Sequence, residues 1–420
     1  MSYRSNWNIQ LPTNYLKEVV SDILEKEKFN PASTLCSVEK VSAGPWVSEI
    51  FRVKVCDSNK HLNFFLKCLP QDVSKSELLC GNLLFKNEVL FYKKVVPAFE
   101  YFQKEKLPLD SPSFLAVPKC YRAETDGKND FIIMEDVSNR GFVDIVNNKI
   151  TYLPELFLIF KEIGHLHGLS LALKIQRPEY FNSMVNCIEE TVFNQNFFER
   201  MTKKLAADFY EVLLLHMKNH YEKDNIYLKK FENWKNSAVD MIPKLALGDS
   251  SNEPYNVITH GDPWVNNFMF HYKNGGDIPD AILSLDFQQA RYTSPATDVG
   301  RLLFVGMDKS TRYEHRDDLL HCYYRSMSQV IREFGSDPEK IFPFSALESQ
   351  LKKYSAFFVF GSLFNIVQSL NTYEHDETGF IGDGMENVLN SIRKSYQKIT
   401  RYCFLRLCDV IEECVDRGYM

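Results

Sequence analysis

The stretch ITHGDPWVNNFMF, residues 258–270, contains His-Gly-Asp with an asparagine five positions after the aspartate. A second stretch, LSLDF at 283–287, places an aspartate at the end of a short apolar run. Phosphoryl transfer from ATP requires a carboxylate that accepts the proton of the attacking hydroxyl, and oxygen ligands that hold Mg²⁺ against the phosphates. We therefore predict that Asp262 is the general base and that Asn267 and Asp286 bind Mg²⁺.

A site of this kind also needs a lysine that contacts the α- and β-phosphates and a glutamate that orients the lysine. Lys67 ends the apolar run FFL at 64–66, and Glu88 lies on the helical pattern that follows at 82–94. We predict that these two residues pair at the nucleotide. The turn before them, VSAGPWVS at 41–48, is placed to cover the phosphates but holds a single glycine.

The run FIIMED at 131–136 predicts the last strand of the first part of the chain, with a hinge at its end. The hinge sequence EDVS, residues 135–138, has no glycine or proline spacer. We predict that Glu135 and Val137 contact the adenine through their backbone, because main-chain groups are obligatory donors and acceptors. Such contacts leave little trace in the choice of side chains.

Each of these features has an ordinary structural explanation when taken alone. A lysine after a strand is usually solvated, a glutamate on a helix is usually a surface residue, and His-Gly-Asp fits a tight turn. An aspartate such as Asp286 also fits a turn or a helix cap. The order lysine, glutamate, hinge, HGDxxxxN and aspartate is that of a kinase, and each member has a suitable local context. The joint pattern favours the functional interpretation.

Strand patterns dominate residues 40–135 and helical patterns dominate residues 150–420, which is typical of an α+β protein. We predict two packed lobes, residues 1–136 and 137–420. The predicted strands are 51–55, 61–67, 114–121 and 131–134, with a strand–loop–strand patch within 256–287. The predicted helices include 14–29, 82–94 and 154–174, and a long helical insert occupies about 175–255.

The composition limits the class of protein. The chain has 420 residues, 45% of them apolar and 25% charged, which excludes a disordered chain. The net charge of −6 argues against a nucleic-acid binder. The start of the chain lacks the apolar segment of a signal peptide, and ten scattered cysteines form no CxxC pair, so we predict a cytoplasmic protein with reduced thiols. Asn365 and Gln368 interrupt the apolar run 354–370, so we predict a buried helix there and no membrane span.

The chain resembles the ecdysteroid kinase-like family, also called CHK kinase-like. This family lies within the protein-kinase-like superfamily that includes choline kinases and aminoglycoside phosphotransferases. The segments that carry the resemblance are FFLK (64–67), FKNEVLFYKKVVP (85–97), VPKCYRAE (117–124), HGDPWVNNFMF (260–270) and LSLDFQQARYTSPATDVGRLLF (283–304). The resemblance extends from about residue 10 to about residue 415. The first loop lacks the family's Gly-x-Asn-aromatic pattern, and Pro263 stands where leucine is more usual.

The resemblance implies a bilobal protein-kinase-like fold, with an N-lobe antiparallel sheet plus helix and a larger, mainly helical C-lobe. It also implies an ATP- and Mg²⁺-dependent kinase of a small-molecule alcohol, with the helical insert at the acceptor site. We predict that Asp298 lies at the start of a helix and hydrogen-bonds the catalytic loop, and that His260 shapes this loop. No obligate protein partner is predicted.

The acceptor predicted from the resemblance is an ecdysteroid-like or other lipophilic alcohol. The aromatic residues within 357–364 fit a lipophilic pocket, although helical aromatics more often form core, and Trp264 is the preferred candidate for a pocket wall. Two alternatives stay open. One is a kinase of a polar alcohol such as choline, which would need a cation–π cage. The other is a catalytically silent protein that binds a lipophilic ligand.

Overall fold

The structure of the protein is a computed structural model. It describes residues 11–41, 48–69, 81–108, 110–127, 129–145, 152–194, 198–248, 250–370, 390, 393–394 and 396–420. The predicted phosphate-covering turn lies outside the described residues, except for its two ends at Val41 and Ser48.

The N-terminal part is built on a five-stranded antiparallel sheet, which follows helix α1 (Asn14–Lys26). The strands are β1 (Leu35–Val41), β2 (Glu49–Cys56), β3 (His61–Cys68), β4 (Cys120–Glu124) and β5 (Phe131–Glu135). Their order is β1-β2-β3-β5-β4, so β3 is central. It pairs with β5 in a register that places Lys67 opposite Ile132.

The two faces of this sheet have different partners because side chains alternate along a strand. Val53, Leu66 and Ile133 share a core with the apolar side of α1. Lys67 lies between Leu66 and Cys68, which both belong to that core, so its side chain points to the opposite face. A lysine in the middle of the sheet is thereby directed away from α1.

The segment after β3 covers the face to which Lys67 points. It consists of helix α2 (Gly81–Leu90), a π-helical turn (Phe91–Val95) and helix α3 (Val96–Lys106). Phe85, Val89 and Phe91 belong to the same core as the helices of the C-terminal part. This segment therefore joins the two parts of the molecule.

The C-terminal part is mainly helical, as predicted. Its helices are α4 (Leu153–Gln176), α5 (Pro178–Val185), α6 (Lys203–His220), α7 (Ile226–Ala246), α8 (Ala296–Val305), α9 (Lys309–Glu333), α10 (Pro338–Ile341), α11 (Phe344–Lys353), α12 (Ser355–Leu370) and α13 (Arg401–Asp416). One small sheet has the order β6 (Phe142–Val143), β8 (Phe268–His271), β9 (Ala281–Ser284). In the other, β7 (Val257–Thr259) pairs with β10 (Arg291–Thr293). These strands flank the two motif-bearing segments. The predicted α+β class, with an N-terminal antiparallel sheet and a mainly helical C-terminal part, is confirmed.

Two glycines let helices α4 and α9 approach closely. A Cβ atom added at Gly164 would lie 2.6 Å from the carbonyl oxygen of Tyr323. A Cβ atom added at Gly168 would lie 2.7 Å from Cβ of Val330 and 2.8 Å from the carbonyl oxygen of Met327. All three distances are shorter than real Cβ contacts, so the two helices pack where only the hydrogen atoms of glycine fit.

Helix α4 is also long and apolar enough, by length and composition, to cross a membrane, and 83% of its most apolar window is buried inside the protein. The apolar run predicted as a buried helix forms α12, in which Phe358 and Leu363 are fully buried. The nine cysteines among the described residues carry free thiols.

Some predicted elements are wrong in detail. The strand predicted at 114–121 begins only at Cys120, because side chains bind the preceding backbone: Gln103 accepts from the N–H of Phe114 and Glu162 from that of Ala116, each at 2.7 Å. The helix predicted at 82–94 is interrupted by the π-helical turn. The strand–loop–strand patch holds three strands, β7, β8 and β9, and strand β1 was not predicted.

We expect Gly168→Ala to lower the free energy of unfolding by about 1–3 kcal/mol, because the added methyl group must push α9 away from α4. Urea denaturation measures the change. Gly361→Ala in α12 is the matched control. Its added Cβ would lie 3.9 Å from Nη1 of Arg301, which is an ordinary van der Waals contact. Alanine's helix propensity should make this control neutral or stabilising by up to about 1 kcal/mol. A similar loss in both variants would contradict the close contact.

Candidate active site

The loop between β7 and β8 carries the His-Gly-Asp motif, and its path depends on Gly261. This residue has φ +85°, and an added Cβ atom would lie 1.8 Å from the carbonyl oxygen of Gln289. Asp298, in the first turn of α8, accepts hydrogen bonds from the backbone N–H groups of His260 (2.7 Å) and Gly261 (3.0 Å). The predicted hydrogen bonding of Asp298 to this loop is confirmed.

Asp298 is itself held by a buried polar network. Nε2 of His167, on α4, lies 3.2 Å from the Asp298 carboxylate, and Nδ1 of the same ring lies 2.9 Å from the Tyr323 hydroxyl. Burial alone would raise the pKa of Asp298, but the hydrogen bond and charge of His167 and the backbone of His260 lower it below its ordinary value. Asp298 is therefore an ionised anchor for the loop.

Asp262 follows directly and is held on both oxygen atoms. Its Oδ1 forms an ion pair with Nη2 of Arg301, and its Oδ2 accepts a hydrogen bond of 3.1 Å from Nε2 of Gln289. The Asp262 side chain is only 13% exposed. Burial raises the pKa of its carboxyl group, Arg301 opposes this rise, and Asp286 adds to it. A buried carboxylate with a raised pKa is a better proton acceptor than an ordinary surface aspartate.

The two predicted metal ligands are on adjacent segments. Asn267 donates from Nδ2 to the carbonyl oxygen of Asp262 (2.9 Å), and its backbone carbonyl oxygen accepts from the N–H of Leu285 (2.9 Å). Asp286 comes next in the chain and has φ 61° and ψ 61°. A non-glycine residue in this left-handed region is uncommon and is often found at functional sites. The backbone thus brings Asn267 and Asp286 to one place.

Lys67, Glu88 and Asp286 form a connected ion triad. Nζ of Lys67 lies 2.6 Å from Oε2 of Glu88 and 3.2 Å from Oδ1 of Asp286. Burial lowers the pKa of Lys67, but the charges of Asp286 and Glu88 outweigh it and the pKa is raised. Burial raises the pKa of Glu88 to about 7, against the pull of Lys67. The predicted lysine and glutamate are therefore in direct contact, and the lysine also reaches the aspartate that follows β9.

A column of aromatic rings supports this arrangement from behind. Phe287, the residue after Asp286, stacks on Phe91 with ring centroids 3.9 Å apart, and the His260 ring lies 4.6 Å from Phe287. Burial lowers the pKa of His260, which favours the neutral ring in this stack. The π-helical turn, the segment after β9 and the loop between β7 and β8 are thereby packed into one column.

The two predicted hinge residues lie farther along the central strands. Glu135 ends β5 opposite Phe64, three residues from the Lys67–Ile132 pair, which is roughly 10 Å along a strand. Its carboxylate pairs with Arg140 at 3.2 Å. Val137 is buried against Leu283. Both residues are therefore displaced along the chain direction of β5 from the strand position of Lys67.

Three residues of the site were missed by the sequence analysis. Asn87 donates to the carbonyl oxygens of Gln288 (3.1 Å) and Ala290 (2.8 Å), and so ties α2 to the segment after Asp286. Gln289 and Arg301 both contact the Asp262 carboxylate. Two signals were available: a polar residue beside Glu88 in an apolar helix, and the spacing of Arg301 three residues after Asp298, on the same helix face.

The described residues contain no group of three or more His, Cys, Asp and Glu side chains that could hold a metal ion by themselves. The site offers one carboxylate and one amide instead, from Asp286 and Asn267. Mg²⁺ is commonly bound by one or two carboxylates together with the phosphates of a nucleotide. The donor set fits that mode and does not fit a metal site of protein ligands alone.

The model of the ecdysteroid kinase-like family matches residues 44–336, which is more than half of the chain. The chain belongs to the ecdysteroid kinase-like family and is a kinase-like phosphotransferase that acts on a hydroxyl group.

Comparison with solved structures finds spectinomycin phosphotransferase APH(9)-Ia in complex with ADP and spectinomycin. Its sequence identity is 11% and the TM-score is 0.40, over 91% of this chain and 93% of that one. Comparison with curated proteins gives no match.

We expect Asp298→Asn to lower the free energy of unfolding at pH 7 by about 3–5 kcal/mol, because one amide nitrogen would face the loop N–H groups and the buried charge network would be broken. The lowered pKa of Asp298 means that its contribution is present above about pH 4 and is lost as the pH falls further. The stability difference from wild type should therefore shrink in acid. Denaturant titrations at pH 7 and pH 3 measure it.

The control for this measurement is Asp277→Asn, which changes an exposed aspartate in the loop after β8. This variant should match wild type at both pH values. A stability difference for Asp298→Asn that stays constant between pH 7 and pH 3 would contradict an ionised anchor.

Proposed function

We propose that this protein transfers the γ-phosphoryl group of ATP to a hydroxyl group of an ecdysteroid-like or other lipophilic alcohol. The observation that carries the proposal is the contact of Lys67 with both Glu88 and Asp286, beside a loop that holds Asp262 and Asn267. These are the residue types that in-line phosphoryl transfer requires, and positioning and charge stabilisation account for most of such catalysis.

Lys67 would contact the phosphates of the nucleotide. Its ion pair with Glu88 fixes the long side chain, which is 13% exposed, and directs it toward Asp286. Glu88 is 1% exposed, so it would orient the buried side of the lysine and would not contact the nucleotide itself. The pair is pre-formed, which avoids the cost of ordering the lysine when the nucleotide binds.

Asn267 and Asp286 would hold Mg²⁺ through the oxygen atoms of their side chains. Because Nδ2 of Asn267 donates to the carbonyl of Asp262, its Oδ1 is the remaining ligand atom. When bound, Mg²⁺ neutralises charge on the phosphates. Lys67 already balances part of the charge of Asp286 at 3.2 Å, so the carboxylate is held ready in one place.

Asp262 would accept the proton of the attacking hydroxyl. Gln289 and Arg301 hold the two carboxylate oxygens, which leaves lone pairs free for one further hydrogen bond. The backbone near Glu135 and Val137 would contact the adenine. We accordingly propose a lobe boundary after residue 136, where β5 has ended and a short 3-10 helix begins at Val137.

The acceptor class is supported by the charges around the base. Glu190 is paired with Arg291 at 2.8 Å, both side chains being at most 6% exposed, and Asp262 and Asp286 are paired with Arg301 and Lys67. An aminoglycoside would need an acidic groove whose carboxylates are not already neutralised. This pairing argues against an aminoglycoside as the acceptor.

The aromatic side chains predicted for a lipophilic pocket pack in the core. The rings of Phe193 and Phe357 lie 5.0 Å apart, and the Arg291 guanidinium lies 5.3 and 5.2 Å from their centroids. Phe193, Phe357 and Phe358 are all at most 6% exposed, so the proposal of a lipophilic acceptor rests on the family and not on these rings. Trp264, two residues after the base, is partly exposed and stays our candidate for a pocket wall.

A catalytically silent ligand-binding protein is the alternative. Such a protein would have no use for the ion triad, whose burial costs free energy. Cytoplasmic location, and the absence of an obligate protein partner, remain predictions.

The acceptor is tested by incubating the protein with Mg·[γ-³²P]ATP and an ecdysteroid, a sterol with a single hydroxyl, choline or spectinomycin. We expect labelled product with the ecdysteroid or the sterol and none with the two cationic compounds. Label on choline alone would support the polar-alcohol alternative. Binding of a steroid without any transfer would support the silent protein.

We expect Asp262→Asn to lower the rate of transfer by about 10²–10⁴-fold, because the amide cannot accept the hydroxyl proton. Affinity for Mg·ATP should stay within a few-fold of wild type, since Asp262 is not among the proposed metal ligands. Steady-state kinetics and nucleotide titration measure the two effects. Asp277→Asn again serves as the control and should retain full activity. Transfer by Asp262→Asn at the wild-type rate would rule out Asp262 as the base.

A further inference from the structure

Arg301 is a buried arginine that meets the catalytic loop at two points. Its Nη2 forms an ion pair with Oδ1 of Asp262, and its Nη1 donates to the carbonyl oxygen of Gly261 at 3.2 Å. The side chain is 11% exposed. A guanidinium group presents several donors in a rigid plane, so it can fix a backbone carbonyl and a carboxylate at the same time.

The position of Arg301 in α8 explains how it reaches the loop. Asp298 lies three residues earlier on the same face of this helix and binds the N–H groups of His260 and Gly261. One face of α8 therefore supplies the Asp298 carboxylate to the loop's N–H groups and the Arg301 guanidinium to the loop's oxygen atoms.

The other oxygen of the base is fixed from a different element. Gln289, in the segment between β9 and β10, donates to Oδ2 of Asp262 at 3.1 Å. With Arg301 on one oxygen and Gln289 on the other, rotation of the carboxylate would break one contact or the other. A neutral side chain in place of Arg301 would free this rotation.

We propose that Arg301 is a positioning residue for phosphoryl transfer: it holds the Asp262 carboxylate in the orientation that accepts the hydroxyl proton. This inference rests on the proposed function. Arg301 acts through Asp262 and through the loop backbone, and it binds neither nucleotide nor acceptor.

Arg301→Met removes the charge and keeps a similar side-chain length. We expect kcat for transfer to fall by about 10- to 100-fold, as for other small misplacements of a catalytic group. The KM values for Mg·ATP and for the acceptor should stay within about twofold of wild type, because Arg301 is not proposed to contact either of them. Arg301→Lys, which retains the charge, should recover part of the lost kcat. A change confined to KM would overturn the assignment.

A double-mutant cycle separates positioning from general structural damage. In the Asp262→Asn background, Arg301→Met should change the residual kcat by less than about twofold, because the group that Arg301 orients is already lost. The matched control is Arg316→Leu, since Arg316 is similarly buried (8% exposed) and pairs with Glu348 at 3.3 Å in another part of the molecule. It should leave kcat unchanged in both backgrounds. An equal loss from Arg301→Met in both backgrounds would overturn the inference.

Thermal unfolding tests the same pair without any turnover. Arg301→Met should lower Tm because it leaves a buried carboxylate without its cation, and adding Asp262→Asn should restore part of the loss. A double variant whose Tm falls by the sum of the single losses would contradict the pairing. Transfer by the wild-type protein is measured first, and its absence would overturn the proposed function. If the wild type does transfer phosphate, the variants test the inference about Arg301 alone.

Discussion

The contact of Lys67 with Glu88 and Asp286 is the interaction on which the rest of the site depends. It joins the central strand of the sheet, the helix that covers it, and the segment after β9 of the C-terminal part. A buried ammonium group without counter-charges would be strongly unfavourable. Lys67 therefore requires both carboxylates, and the two parts of the molecule must come together at this point for the charge to be balanced.

The same rule governs the other buried charges around the loop. Asp298 binds two backbone N–H groups and contacts His167, and Asp262 has Arg301 and Gln289. Replacing such pairs with apolar residues is often neutral or stabilising in proteins, so stability alone does not account for them. Their common effect is to fix the directions of a few oxygen and nitrogen atoms, which is what in-line phosphoryl transfer demands.

The sequence predicted the elements that have strong local patterns. Alternating apolar residues predicted β2, and the apolar runs FFL and FIIM predicted β3 and β5. The order of Lys67, Glu88 and the two aspartate motifs singled out side chains that the structure brings together. The strand at 114–121 was placed wrongly because Gln103 and Glu162 bind its backbone from other elements, which a local pattern does not record. Arg301 and Gln289 were missed for the same reason, since their role depends on where α8 and the segment after Asp286 lie relative to Asp262.

Thermal unfolding of wild type and Asp286→Ala, with and without millimolar Mg·ATP, tests the central claim most directly. A ligand that binds the native state raises Tm by mass action. We expect a rise of about 2 °C or more for wild type that needs both Mg²⁺ and ATP, and no such rise for Asp286→Ala. Asp277→Ala should behave as wild type. Absence of any rise for wild type would contradict a nucleotide site built on Lys67, Asn267 and Asp286.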